Sequence, residues 1–171
     1  LLEGEHSYSF TAVNAAGNQI TEETNSLYID QGIPEVGAAT EIQNRNVNGG
    51  IEYACSDGQV TLFLSSADSH SGLCSYSYWF TDLYSGQMVG EETEVMLPQS
   101  ISISGDGAEI GINQPLMLNG TDGREYVLHV QTTDYADNNS MEWITPVSIL
   151  YDTSAPTVEL SLSQGVYSAM T

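Results

Sequence analysis

The chemistry this sequence is best equipped for is the binding of a hard cation. Asp134, Asp137 and Asn138 fall in one short acidic turn, Asp134-Tyr135-Ala136-Asp137-Asn138-Asn139, and offer side-chain oxygens at close spacing. Asp152 follows the strand that returns from this turn, and Asp68 lies in another short polar loop, Ala67-Asp68-Ser69-His70-Ser71-Gly72. Calcium takes six to eight oxygen ligands and tolerates irregular geometry, so carboxylates gathered from separate loops suit it. The expected metal ligands are Asp134, Asp137, Asn138 and Asp152, with Asp68 as an addition, and the expected ion is Ca2+. The same residue types also serve tight turns by bonding to their own backbone, with no ion involved. No EF-hand spacing occurs, so the ligands would have to converge from separate loops.

The elements that must position these residues read as strands. Tyr126, Leu128 and Val130 alternate with Val127, His129 and Gln131, the period of two that marks one buried face. After the turn, Trp143, Ile144, Val147, Ile149 and Leu150 form a return strand, and Asp152-Thr153-Ser154-Ala155-Pro156 closes the unit. Upstream, Val60, Leu62 and Leu64 share a face of a strand over residues 59–65. Leu73 to Phe80 carries Tyr76, Tyr78 and Phe80 on one face and Trp79 on the other. Short strands are expected over 87–89, 94–97, 100–104 and 110–113, with Pro115 to Leu118 extending the last. Asn44, Asn46, Asn48, Gly49 and Gly50 mark a turn-rich passage. No helical period occurs.

The hairpin and its linker occur twice. Residues 4–36 read GEHSYSFTAVNAAGNQITEETNSLYIDQGIPEV, and residues 123–158 read GREYVLHVQTTDYADNNSMEWITPVSILYDTSAPTV. Asn14-Ala15-Ala16-Gly17-Asn18 falls on Asp134-Tyr135-Ala136-Asp137-Asn138, and Asp30, Pro34 and Val36 fall on Asp152, Pro156 and Val158. A long internal repeat governs how the rest of a chain is read. Residues 1–33 read as the C-terminal hairpin of a preceding unit, 34–155 as one complete unit, and 156–171 as the first strand of a following one.

This unit resembles the tandem immunoglobulin-like repeats (bacterial Ig-like and fibronectin type III-like) of large bacterial and archaeal surface proteins. The match lies in Gly123–Asn138 with its D-x-A-x-N turn and in Asp152-Thr153-Ser154-Ala155-Pro156; residues 4–34 match more loosely. The resemblance implies an all-β, immunoglobulin-like sandwich of about seven strands in a tandem array, with a mechanical role. Some members of that family bind calcium at the junctions between repeats, where the ion stiffens the rod. Fold alone does not specify activity.

Composition narrows the partners. The 171 residues carry 23 acidic side chains against two arginines and no lysine, a net charge of −21. That balance repels nucleic acid and anionic membranes. Hydrophobic content of 40% is enough for a core, and no apolar run of membrane-spanning length occurs. Leu1 to Glu5 lacks the features of a signal peptide, so any targeting segment is expected outside this chain. Cys55 and Cys74 are expected at opposite ends of neighbouring strands, about 25–30 Å apart by strand rise and beyond disulfide reach.

Catalytic signals are weak. Asp68-Ser69-His70 has triad residue types, but triads converge from separate segments. His6, His70 and His129 are scattered, and Glu91-Glu92 reads as solvated charge. Asn119-Gly120-Thr121 and Asn138-Asn139-Ser140 fit the glycosylation pattern. The chain is therefore expected to be a non-enzymatic extracellular module at the cell surface: a spacer in an adhesin, layer or filament protein. Its expected partners are neighbouring repeats of the same longer chain, other copies in a surface assembly, or glycans. The alternatives are an accessory domain of a secreted polysaccharide- or protein-degrading enzyme, and glycan binding through Tyr76, Trp79, Tyr84 or Trp143.

Overall fold

The computed structural model describes residues 2–23, 25–43, 52–53, 57–98, 110–155 and 157–158. Among these residues the chain is all-β and contains no helix. Four short strands come first: β1 (Gly4–His6), β2 (Ser9–Val13), β3 (Gln19–Glu23) and β4 (Leu27–Ile29). Ten more follow the Pro34 linker: β5 (Glu35–Val36), β6 (Glu41–Ile42), β7 (Glu52–Tyr53), β8 (Gln59–Ala67), β9 (Leu73–Asp82), β10 (Met88–Met96), β11 (Ile110–Met117), β12 (Arg124–Asp134), β13 (Trp143–Ile144) and β14 (Ile149–Tyr151). The expected strand over 100–104, the passage 44–50, Cys55 and most of 156–171 lie outside the described residues.

Two sheets enclose one core. One runs β10-β9-β12-β14-β7, with β13 on β12; the other runs β11-β8-β5, with β6 also on β8. All pairings are antiparallel except β14 with β7. Val60, Leu62 and Leu64 of β8 and Leu116 of β11 meet Leu73, Tyr76 and Phe80 of β9, Tyr126, Leu128 and Val130 of β12, and Ile149 of β14. Each large apolar side chain buried in this way contributes about 1.5–3 kcal/mol relative to exposure, and the period of two in β8 and β12 is what delivers them to one face.

Two strand expectations are corrected by local backbone chemistry. The two short strands over 87–89 and 94–97 are one strand, β10, whose register shifts between Val89 and Thr93; Gly90, with φ of 79°, supplies the left-handed residue that the bulge needs. The return strand after the acidic turn is split into β13 and β14 at Pro146, which has no N–H for the ladder. Pro115 does extend β11, as expected, and among the described residues β11 stands at the edge of its sheet, where a missing donor is tolerated.

At the start of β12, the Thr121 N–H donates to Tyr126 Oη at 2.7 Å, pinning the incoming loop to the core. Gly120 lies flush against that ring: a Cβ there would stand 2.7 Å from it.

The two hairpins share register as well as sequence. Gly4, Glu5 and His6 pair with Ile29, Tyr28 and Leu27; Arg124, Glu125 and Tyr126 pair with Tyr151, Leu150 and Ile149. Asn14 Oδ1 accepts the Ala16 and Asn18 amides, as Asp134 Oδ1 accepts those of Ala136 and Asn138. Gly17 (φ 81°) and Asp137 (φ 67°) occupy the same left-handed position. The core-facing side of the second hairpin is buried, whereas Phe10 and Ile20 of the first are 65% and 60% exposed.

Candidate metal centre

Asp134 ends β12, and Asp68 follows β8, so the opposite sheets deliver both to the same pole of the sandwich. The linker preceding the domain enters at that pole and brings Asp30. Carboxylate oxygens of Asp30, Asp68 and Asp134 lie within 4.8 Å of one another. All three side chains are buried: Asp134 is 1% exposed and Asp68 7%, and the Asp30 side chain 2%.

Each carboxylate is held by backbone amides of its own loop. Asp134 Oδ1 accepts from Ala136 and Asn138, at 2.8 Å each. Asp68 Oδ1 accepts from His70 at 3.1 Å and Gly72 at 2.7 Å. Asp30 Oδ1 accepts from Gly32 at 2.9 Å, while its Oδ2 reaches across to accept from Ser71 at 2.8 Å. Asn138 Nδ2 closes the arrangement, donating to Asp134 Oδ2 at 2.8 Å and to the Asp30 carbonyl at 3.4 Å. Burial works against the charge on Asp30. The Ser71 hydroxyl (outside normal hydrogen-bond geometry, yet close enough for its dipole to act), the Ser71 and Gly32 amides and His70 outweigh that and hold its pKa below the ordinary value.

Ionised together at this spacing, each pair of carboxylates repels by roughly 3 kcal/mol at an effective dielectric of about 20. A hydrogen bond to a charged group is worth about 1.5–3 kcal/mol, so the amides are strong enough to hold the cluster by turn chemistry. The repulsion that persists is what a divalent cation would relieve. The donor set is oxygen only, buried, and drawn from three loops, which fits calcium in the irregular coordination it accepts.

The structure thus brings Asp68 and Asp134 together and leaves Asp137 and Asp152 aside. Asp137 is exposed, its amide directed back to the Asp134 carbonyl, and its carboxylate is not among those that converge. Asp152 follows Tyr151, which pairs with Arg124 at the beginning of β12. Asp134 is at the other end of that 11-residue strand, roughly 33 Å away at the usual strand rise. At its own end Asp152 caps Ser154, and Asp122 binds Thr153. Asn138 serves as a donor within the cluster, so the nitrogen that would carry a glycan at Asn138-Asn139-Ser140 is already engaged.

Other candidate chemistry resolves as follows. In Asp68-Ser69-His70, Ser69 Oγ lies 3.0 Å from His70 Nδ1, but the nearest carboxylates approach that same nitrogen, whereas a triad needs hydroxyl and acid on opposite ring nitrogens. His129 does have that arrangement: Nε2 is 2.7 Å from Thr81 Oγ1, Nδ1 is 2.5 Å from Glu142 Oε1, and the ring stacks on Trp79. Sequence reading missed this set because it spans two strands, β9 and β12, and the segment just before β13. Thr81, however, sits inside β9, which is paired with β10 and β12 on either side, so the β9 amides beside it serve the ladders rather than an oxyanion. The set reads as a polar ladder on the outer face of the sheet. Of the aromatics considered for glycan binding, Tyr76 is fully buried and Tyr84 is 92% exposed. Cys74 is a free thiol, its pKa raised by burial and then by Glu94, Asp137 and Asp134.

No protein-family model matches the chain, and no curated protein matches its sequence.

Proposed function

We propose that this protein is a non-enzymatic, extracellular repeat module, a spacer of a larger surface, layer or filament protein, with calcium stiffening the junction between units. The observation that carries the reading is the recurrence of one hairpin at both ends of the chain with the same strand register and the same turn hydrogen bonds. The immunoglobulin-like part of the reading draws support from the strand order, with β8 and β11 in one sheet and β9, β12 and β14 in the other, and from the Tyr126 hydroxyl bonded back to Thr121, a corner typical of such sandwiches. In a tandem array the exposed face of β2 and β3 is covered by the rest of the preceding unit, as the equivalent face of β12 is covered by β8. The extracellular setting draws support from the charge of −21 and the absence of lysine. Residues 34–155 alone should unfold in one cooperative transition in urea. A segment that lacks a cooperative transition without its neighbours would contradict the independent module.

A further inference from the structure

Asp30 has a second set of neighbours. Glu3 Oε1 lies 3.1 Å and Asp30 Oδ1 3.7 Å from Nδ1 of His70, and the three groups each place a donor atom within 4.8 Å of the others. Donors about 2.0–2.1 Å from a tetrahedral zinc ion stand about 3.3–3.4 Å apart along each edge. The observed separations bracket that value.

An independent observation concerns Gly32. Its φ is not in the left-handed region, so the backbone does not demand glycine there. A Cβ at this position would stand 3.3 Å from Asp30 Oδ1 and 3.7 Å from His70 Nδ1, in the space beside both donors. The missing side chain keeps that space open. The imidazole is also oriented: the Tyr28 ring stacks on it at 5.6 Å and 28°, and Ser69 Oγ, 3.0 Å from the same nitrogen, offers a further oxygen.

We propose that Glu3, Asp30 and His70 form a site for a borderline divalent cation of the zinc class. Calcium prefers oxygen alone, while a neutral imidazole with two carboxylates suits zinc and its first-row neighbours. The site is chemically distinct from the all-oxygen cluster of Asp30, Asp68 and Asp134, although Asp30 belongs to both. Glu3 and Asp30 precede Pro34 and His70 follows β8, so the ion ties the N-terminal hairpin to the sandwich. The proposal stands independently of the repeat reading and of calcium at the other cluster.

The test is a calorimetric titration of residues 1–171 with Zn2+ in excess calcium, repeated with Co2+ for its visible spectrum. One equivalent of Zn2+ should bind, and His70→Gln, Glu3→Gln and Gly32→Ala should each weaken it at least about tenfold. His129→Gln should bind as the parent does, and circular dichroism of the metal-free variants should match the parent. The Co2+ spectrum should lack a thiolate charge-transfer band. The absence of saturable Zn2+ binding, undiminished affinity in His70→Gln and Gly32→Ala, or a thiolate band assigning the metal to a cysteine would each overturn the proposal.

Discussion

Asp30 and Asp134, one in the linker that enters the sandwich and the other in the turn near its end, are joined through Asn138. Its side-chain nitrogen donates to the Asp134 carboxylate and to the Asp30 backbone carbonyl. The junction is therefore built into the turn that ends β12. Turn geometry, buried charge and the docking of the incoming hairpin are coupled in a handful of atoms.

Substitution at Asp134 separates turn chemistry from charge. Asn14 makes the same two amide contacts in the first hairpin, so Asp134→Asn should preserve the turn. The substituted amide can no longer accept from Asn138 Nδ2, and that loss offsets the relief of removing one of three buried like charges, so stability in chelator should change by no more than about 1 kcal/mol. Asp134→Ala leaves both amides and Asn138 without their acceptor and should cost about 1–3 kcal/mol with or without calcium. Urea unfolding of the two variants in chelator distinguishes these outcomes.

A second prediction concerns the Tyr126 corner. Tyr126→Phe removes the acceptor for the Thr121 amide and should cost about 1 kcal/mol. Gly120→Ala pushes a methyl into the ring and should cost more, about 1–3 kcal/mol, because the ring is locked in the core. Equal losses in the two variants would mean that the ring has room to move.

Acid stability should depend on the pair at the other pole. Arg124 donates to Asp82 Oδ2 at 2.8 Å, and that bond, assisted by the Ser85 amide, lowers the Asp82 pKa from 3.8 to about 2. A carboxylate depressed by folding stabilises the protein fully above its unfolded pKa and loses that contribution as pH falls through the folded value. The loss attributable to this pair therefore falls between about pH 4 and pH 2. Arg124→Gln should flatten the decline of stability in that window, as read from unfolding midpoints at stepped pH. An unchanged slope would show that Asp82 is held by the Ser85 and Tyr84 amides alone.

The parts of this structure legible in the sequence are those that depend on one-dimensional period. Val60, Leu62 and Leu64, and Tyr126, Leu128 and Val130, alternate in sequence and are buried together. Gly90 and Pro146 decide where a strand bends or breaks, and that depends on ladder hydrogen bonds formed with distant residues. At the site, Asp68 and Asp134 were legible as acidic loop residues at one pole. Asp30 reads in the sequence only as the counterpart of Asp152, whose expected place beside Asp134 leaves strand parity out of account. Strand parity corrects this: a chain that turns at Asp134 and runs back through β13 and β14 must exit at the far pole, where Asp152 is found. The meeting of Glu3, Tyr28 and Gly32 with His70 has no sequence signal, because it arises only when the first hairpin docks on the sandwich.

The central claim is a cation-stiffened junction, and thermal unfolding of residues 1–171 across a calcium titration from chelator tests it most directly. A ligand confined to the folded state stabilises it by RT ln(1 + [L]/Kd), about 2.7 kcal/mol at a hundredfold excess over Kd. The midpoint should climb with calcium, and the climb should vanish in Asp30→Asn and Asp134→Asn while Asp152→Asn retains it. A flat midpoint, or a climb untouched by Asp134→Asn, would contradict calcium at this junction and leave these carboxylates as turn residues.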